Sequence, residues 1–276
     1  MKKLIISLLL LICPLAQCLG QISISGVTGN DGYSVLRTSL AAEVPFVPGL
    51  SVTPGYSVYQ KDGMQTMSQY SLGAGLKLPL INLAKAEVSG GYIPKANGYS
   101  SYFYDIGGAL DLETLFLGLL PTDDLQLGGG VKNTFHSYYN PDQEIRETDL
   151  HASLSQKTGD FESSVNFSKA ISYSKETKDF SPPWLDVKNF TAVYSGYLDY
   201  SAGANASYTL KFLRPYVSYN FLKTKNTDFS TDNAQAGIVI KCLMVELNAA
   251  MEWFNFTRNT AQRKSFFSLT AGVSFP

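Results

Sequence analysis

Cysteine, histidine, tryptophan and charge are all scarce in this sequence. Of three cysteines in 276 residues, Cys13 and Cys18 fall within the first twenty, so Cys242 stands alone in the rest of the chain. Once that segment is removed, neither an intrachain disulfide nor a cysteine metal site can form. Charged residues make up 16% of the chain, well under the roughly 25% of a soluble domain. A formal net charge of -1 leaves no basic surface for nucleic acid. Long apolar runs are missing as well: beyond residue 20 nothing approaches the ~20 residues that a membrane helix requires, which excludes helical spans. No cofactor or metal is expected. What the chain has instead is 17 Tyr, 16 Phe and 23 Gly.

The one apolar run is at the start. Met1-Lys2-Lys3 is a positive n-region, Leu4 to Ile12 an apolar core, and Cys18-Leu19-Gly20 a small-x-small site. Residues 1–20 therefore read as a cleaved secretory signal peptide and 21–276 as a single mature domain. Acylation of Cys18 is the rival, but Gln17 stands where lipoprotein processing wants a small residue.

From there on the pattern has a period of two. Leu72, Ala74, Leu76 and Leu78 share a face opposite Gln69, Ser71 and Lys77. Leu127, Val131 and Phe135 oppose Gln126, Lys132, Thr134 and His136; Phe161, Val165, Phe167, Ile171 and Tyr173 oppose Glu162, Ser164, Asn166 and Ser168. Near the end Leu243, Val245, Leu247, Ala249, Met251 and Trp253 oppose Glu246, Asn248 and Glu252. Strands with one greasy and one wet side fit a soluble sandwich or a membrane barrel. The connections discriminate between these. One set is short or apolar (44–49, 78–84, 157–160, 213–215, 241–243, with the apolar 114–124 assigned to it). The other is longer and polar (60–66, 94–100, 139–147, 174–186, 223–232, 257–264). Outer-membrane barrels show this asymmetry, with short periplasmic turns and longer external loops.

The expected fold is therefore all-β, a closed antiparallel transmembrane up-and-down barrel of about 14 strands, with 12 as the alternative. Fourteen requires residues 21–28 to be the first strand and 190–212 a single one. A strand of about 22 residues reaches ~70 Å, so its upper part should project beyond the membrane. Tyr56, Tyr59, Tyr70, Tyr92, Tyr102, Tyr104, Phe135, Tyr173, Phe212, Trp253 and Phe256 lie near segment ends and fit interfacial girdles.

The closing segment FFSLTAGVSFP, with Phe267, Leu269, Ala271, Val273 and Phe275 in alternation, resembles the terminal strand of bacterial outer-membrane β-barrels. Pro276 departs from that pattern, which usually ends on the aromatic. The resemblance implies an outer-membrane location, recognition of this strand by the barrel assembly machinery, and contact with outer-membrane lipid and lipopolysaccharide. In size the chain is similar to small monomeric porins, which implies a diffusion channel for small hydrophilic solutes by analogy of fold.

Parity points Arg37, Lys77, Glu87, Asp105, Lys132, Glu162, Asp199, Lys211, Glu246 and Glu252 into the lumen, with Lys85, Lys241, Glu43, Asp111, Glu113, Glu147 and Asp149. Acids outnumber bases in that set, and carboxylate-lined pores favour cations. The expectation is a weakly cation-preferring pore. The alternative is a non-conducting structural or surface-receptor barrel closed by Lys-Glu pairs and bulky Tyr197, Phe103 and Phe254. An enzyme is not expected. His136 and His151, with Glu147 and Asp149 beside them, are reminiscent of omptin-type barrel proteases, but no second acidic pair is placed to complete such a site. The loop 174–186, with Ser181-Pro182-Pro183-Trp184, is the stiffest, and it either folds inward, caps the mouth or is plain surface.

Overall fold

The computed structural model describes residues 20–29, 33–44, 47–60, 66–77, 83–96, 98–116, 121–139, 142–175, 180, 182, 196–225, 229–257 and 264–274. The segment expected to be a signal peptide lies outside these.

The described residues form fourteen strands closed into one antiparallel barrel. In chain order these are β1 (Gly20–Gly29), β2 (Ser34–Glu43), β3 (Leu50–Gln60), β4 (Met67–Lys77), β5 (Ala84–Ala96), β6 (Tyr99–Asp111) and β7 (Asp124–Tyr139). They continue as β8 (Asp142–Thr158), β9 (Phe161–Tyr173), β10 (Leu198–Tyr208), β11 (Leu213–Thr224), β12 (Ser230–Cys242), β13 (Val245–Phe254) and β14 (Lys264–Ser274). A single helical turn, α1 (Leu112–Leu115), joins β6 to β7 and is capped by the Asp111 side chain, which accepts from the Thr114 amide at 3.0 Å. Each strand pairs with its sequence neighbour, and β1 pairs with β14 from Gln21↔Ser274 to Gly29↔Phe266. Closure follows from the solvent: an unpaired backbone amide in hydrocarbon costs several kcal/mol, so a membrane-spanning sheet has no edge.

The apolar halves of the alternation point outward. Leu72, Ile106, Val165, Val217 and Leu269 are each more than half exposed, which fits side chains meant for lipid. The outward aromatics make a girdle that register explains. Tyr56 pairs with Tyr70, Tyr70 with Tyr92, Tyr92 with Tyr102 and Tyr102 with Phe135, one row across five strands. The Tyr102 and Phe135 rings stack at 4.5 Å. Two members of the expected set do not belong: Tyr59 is buried inside the barrel, and Tyr173 points inward to Glu147.

Turn geometry corrects two expectations. The run of alternation from 190 to 212 is not one long strand. Strand β10 has 11 residues and ends at Tyr208. The chain then reverses through a Leu210↔Leu213 bridge with Lys211 at φ 55°. Leu210 and Phe212 keep the apolar rhythm while sitting exposed in the turn, where an interfacial position favours them as much as a strand would. Residues 190–195 lie outside the described set. The connections 94–100 and 139–147, expected as long loops, are instead tight: β5 runs to Ala96 with β6 starting at Tyr99, and β7 ends at Tyr139 with β8 starting at Asp142. The projecting element is thus the β7–β8 hairpin, with strands of 16 and 17 residues where 9 to 11 suffice for a crossing. At the level of the aromatic row and just below it, its outer face carries a polar group of side chains. The Arg146 guanidinium donates to Asn133 Oδ1 at 3.0 and 2.6 Å, and the Thr148 hydroxyl donates to the same oxygen at 3.0 Å.

Candidate functional site in the barrel lumen

Register decides which expected residues face the lumen. Arg37, Lys77, Glu87, Asp105, Lys132, Glu162, Glu246 and Glu252 all lie on inward positions of their strands, opposite partners such as Ser25, Lys85, Gly107, Lys241 and Gln235. Two do not fit. Lys211 belongs to the β10–β11 turn, and Asp199 sits in a bulge where the β10–β11 register shifts, its carboxylate 3.9 Å from Lys223 Nζ. Glu113 is likewise in α1 rather than in a strand. Lys157 and Arg214, both assigned to turns from the sequence, are inward strand residues that flank Glu162 at 3.6 and 3.4 Å. The acid excess is therefore smaller than parity implied.

Most of the chemistry gathers on one wall, carried by β6, β7, β8 and β9. His136 and Glu147 are nearly sealed off, with side chains 5% and 3% exposed, and His136 Nε2 lies 2.8 Å from Glu147 Oε2. With Glu147 ionised and able only to accept, Nε2–H donates to it and Nδ1 accepts from the Tyr99 hydroxyl at 2.7 Å. The Tyr173 hydroxyl donates to Glu147 Oε1 at 3.0 Å and also lies against the Leu198 carbonyl. Lower on the same wall, His151 Nε2 is 2.8 Å from Asp105 Oδ1. Lys132, the register partner of both Asp105 and Asp149, carries its ammonium 4.9 Å from the centre of the Phe103 ring. A cavity of about 300 Å³ opens among these residues. It adjoins a second of about 360 Å³ through shared Glu87, Asp105, His151 and Ser153. A third, of about 320 Å³, lies on the β9–β13 wall around Glu162, Arg214 and Tyr216.

The two histidines are not level with each other at the rim. His136 is three residues from the end of β7, while His151 is nine residues into β8, because the hairpin tip is narrower than the sequence implied.

Above this wall the lumen is filled. Val35, Tyr59, Met67, Ile93, Ile145, Leu222 and Phe254 are inward residues near the loop ends of their strands and belong to one buried apolar cluster. Tyr197, wholly buried, is its centre: its hydroxyl bonds that of Tyr138 at 2.7 Å, and its ring meets His136 and Tyr173 edge-on at 5.2 Å each. Phe180 packs on Tyr138 at 4.9 Å, and Pro182 is buried with its carbonyl accepting from the Gly196 amide. Phe180 and Pro182 of the loop 174–186 thus dock onto the plug; residues 176–179, 181 and 183–186 lie outside the described residues. The sequence does carry a sign of the plug, a reversal of phase. At Met67-Ser68, Ile145-Arg146 and Leu222-Lys223 the apolar member takes the inward parity.

A closed cylinder with a greasy outer band, an aromatic girdle and a polar lumen defines the class by fold: a fourteen-strand antiparallel β-barrel of small porin size, the architecture of outer-membrane barrels. The comparisons agree at the level of fold. No family model matches the chain, and no curated protein matches it in sequence. Among solved structures it is similar to CdiB from Acinetobacter baumannii, with 9% identity over 93% of this chain and a TM-score of 0.55. The chain spans 60% of the length of that protein. A KdgM porin in complex with disordered oligogalacturonate aligns with 93% of this chain and 99% of its own (9% identity, TM-score 0.46). An anion-selective porin from Comamonas acidovorans aligns with 93% and 98% (11% identity, TM-score 0.47).

Of the residues expected to form an assembly signal, Phe267, Leu269, Ala271 and Val273 occupy outward positions of β14. Phe275 lies outside the described residues.

Proposed function

We propose that the protein is an outer-membrane channel for small hydrophilic solutes, with a weak preference for cations, and that its loop end is shut by the Tyr197 plug in the resting state. The observation that carries this reading is the lumen below the plug. Its walls present Ser, Asn, Gln and charged side chains around cavities of about 300 to 360 Å³, a surface that has no use unless water and polar solutes reach it. The cation preference rests on the β5–β8 wall, where Glu87, Asp105, Glu147 and Asp149 face Lys132 and two histidines. The paired Glu162 on the opposite wall adds little to it.

The plug favours a second reading, a sealed structural or receptor barrel. Recording in planar bilayers decides between them. On the channel reading the unaltered protein shows rare or brief openings, and Tyr197→Ala combined with Tyr138→Ala gives long-lived, cation-selective current with a reversal potential shifted accordingly in a salt gradient. If neither protein conducts while both migrate as folded barrels, the sealed reading stands. Hydrolysis has no part in this proposal, since His136 is buried under the plug and His151 is engaged with Asp105. In the same reading residues 1–20 direct secretion, the outward row of β14 is presented to the assembly machinery, and the outer face meets lipid and lipopolysaccharide.

A further inference from the structure

The cavity beneath the plug has more built into it than a diffusion path needs. Of the four carboxylates on its wall, Glu87 is paired with Lys85, Asp105 with His151 and Glu147 with His136. The fourth, Asp149, is only 7% exposed; it shares a hydrogen bond with the neighbouring Glu147, and its Oδ1 has no partner. Gln69 Oε1, also on the wall, is another buried acceptor without a donor. A buried acceptor left unpaired is costly, so a donor-bearing ligand is what this wall is short of. Lys132 shows which donor suits it. Its ammonium rests on the face of Phe103, between strands carrying Asp105 and Asp149, the arrangement by which an aromatic face and carboxylates hold a cation.

We propose that this cavity is an ammonium-binding site for a small hydrophilic primary amine, and that the side chain of Lys132 occupies it at rest as a resident competitor. The adjoining cavity, which shares Glu87, Asp105 and His151 and reaches Ser51 and Lys85 near the terminal end, supplies the approach. The volume of the binding cavity itself, about 300 Å³, is at the lower end for ligand pockets and suits a molecule of monosaccharide size. The site does not depend on whether the barrel conducts.

The experiment is calorimetric titration of the detergent-solubilised full barrel with glucosamine and with glucose, its neutral counterpart. The native protein should bind glucosamine weakly and glucose not at all. Lys132→Met removes the competitor, and a site that Lys132 fills nine-tenths of the time should then bind glucosamine about tenfold more tightly. Adding Asp149→Asn to Lys132→Met should abolish that gain. Each variant is checked for folding by its heat-dependent gel migration, and Lys132→Gln serves if the Met form does not fold. An unchanged glucosamine affinity in the Lys132 variant, or an equal gain for glucose, overturns the proposal. Conductance does not enter the measurement, so its failure leaves the channel reading untouched, and the reverse holds.

Discussion

Gly130 lies on the lumen side of β7, where an added Cβ would come within 2.7 Å of both His151 Nε2 and the Gly107 Cα. The missing side chain is what lets the imidazole lie flat and reach Asp105. Gly130→Ala should therefore cost about 1–3 kcal/mol through overpacking, read as a lower guanidinium midpoint in detergent. It should also break the His151–Asp105 contact, read as altered imidazole resonances by NMR. At the buried pair the stakes are larger. Glu147→Ala leaves His136 Nε2 without its acceptor and the Tyr173 hydroxyl with the Leu198 carbonyl alone, and loss of one partner of such a pair costs about 3–5 kcal/mol. An unfolding midpoint unmoved by that substitution would contradict the burial described here. Parity placed His136, Glu147, Asp149 and His151 on one face from sequence alone. It could not give depth, because depth depends on where the hairpin turns, and Asn140-Pro141 within a polar stretch read as part of a wide loop.

Strands differ in how openly their sequences announce them. In β14 the outward apolar row and inward Ser268 and Thr270 alternate without interruption, so Leu269→Arg should cost about 2–4 kcal/mol if it lies near the bilayer midplane, while Thr270→Arg costs far less. Guanidinium titration of the two variants in lipid vesicles checks the contrast, and equal losses would count against the assigned faces. In β10 the same rhythm misled, because Leu210 and Phe212 are interfacial turn residues whose exposure copies a strand. The plug was legible only as separate anomalies. Tyr197 and Phe254 could be named as obstructions, yet nothing local says that side chains from twelve different strands join one buried cluster. That meeting is a product of shear and closure. Leu222→Ala, which hollows this cluster, should cost about 2–5 kcal/mol in the same unfolding assay and increase the frequency of channel openings.

For the whole molecule, the sheet needs fourteen strands to close, and the seam between β1 and β14 makes the barrel's stability cooperative. The strand number followed from requiring an even count, which is why it survives the errors at individual boundaries. Solute and open state did not follow, since they depend on side chains brought together across the lumen from distant parts of the chain.

The most direct test of the central claim, lipid outside and water within, is spin-label accessibility along β11. Single nitroxides are placed in turn at positions 216 to 221 in a Cys242→Ser background and reconstituted in vesicles. Positions 217, 219 and 221 should favour collision with oxygen, and 216, 218 and 220 should be shielded from it, reporting either a water-soluble nickel reagent or a packed interior. Oxygen accessibility without a period of two, or with the phase reversed, would contradict the account.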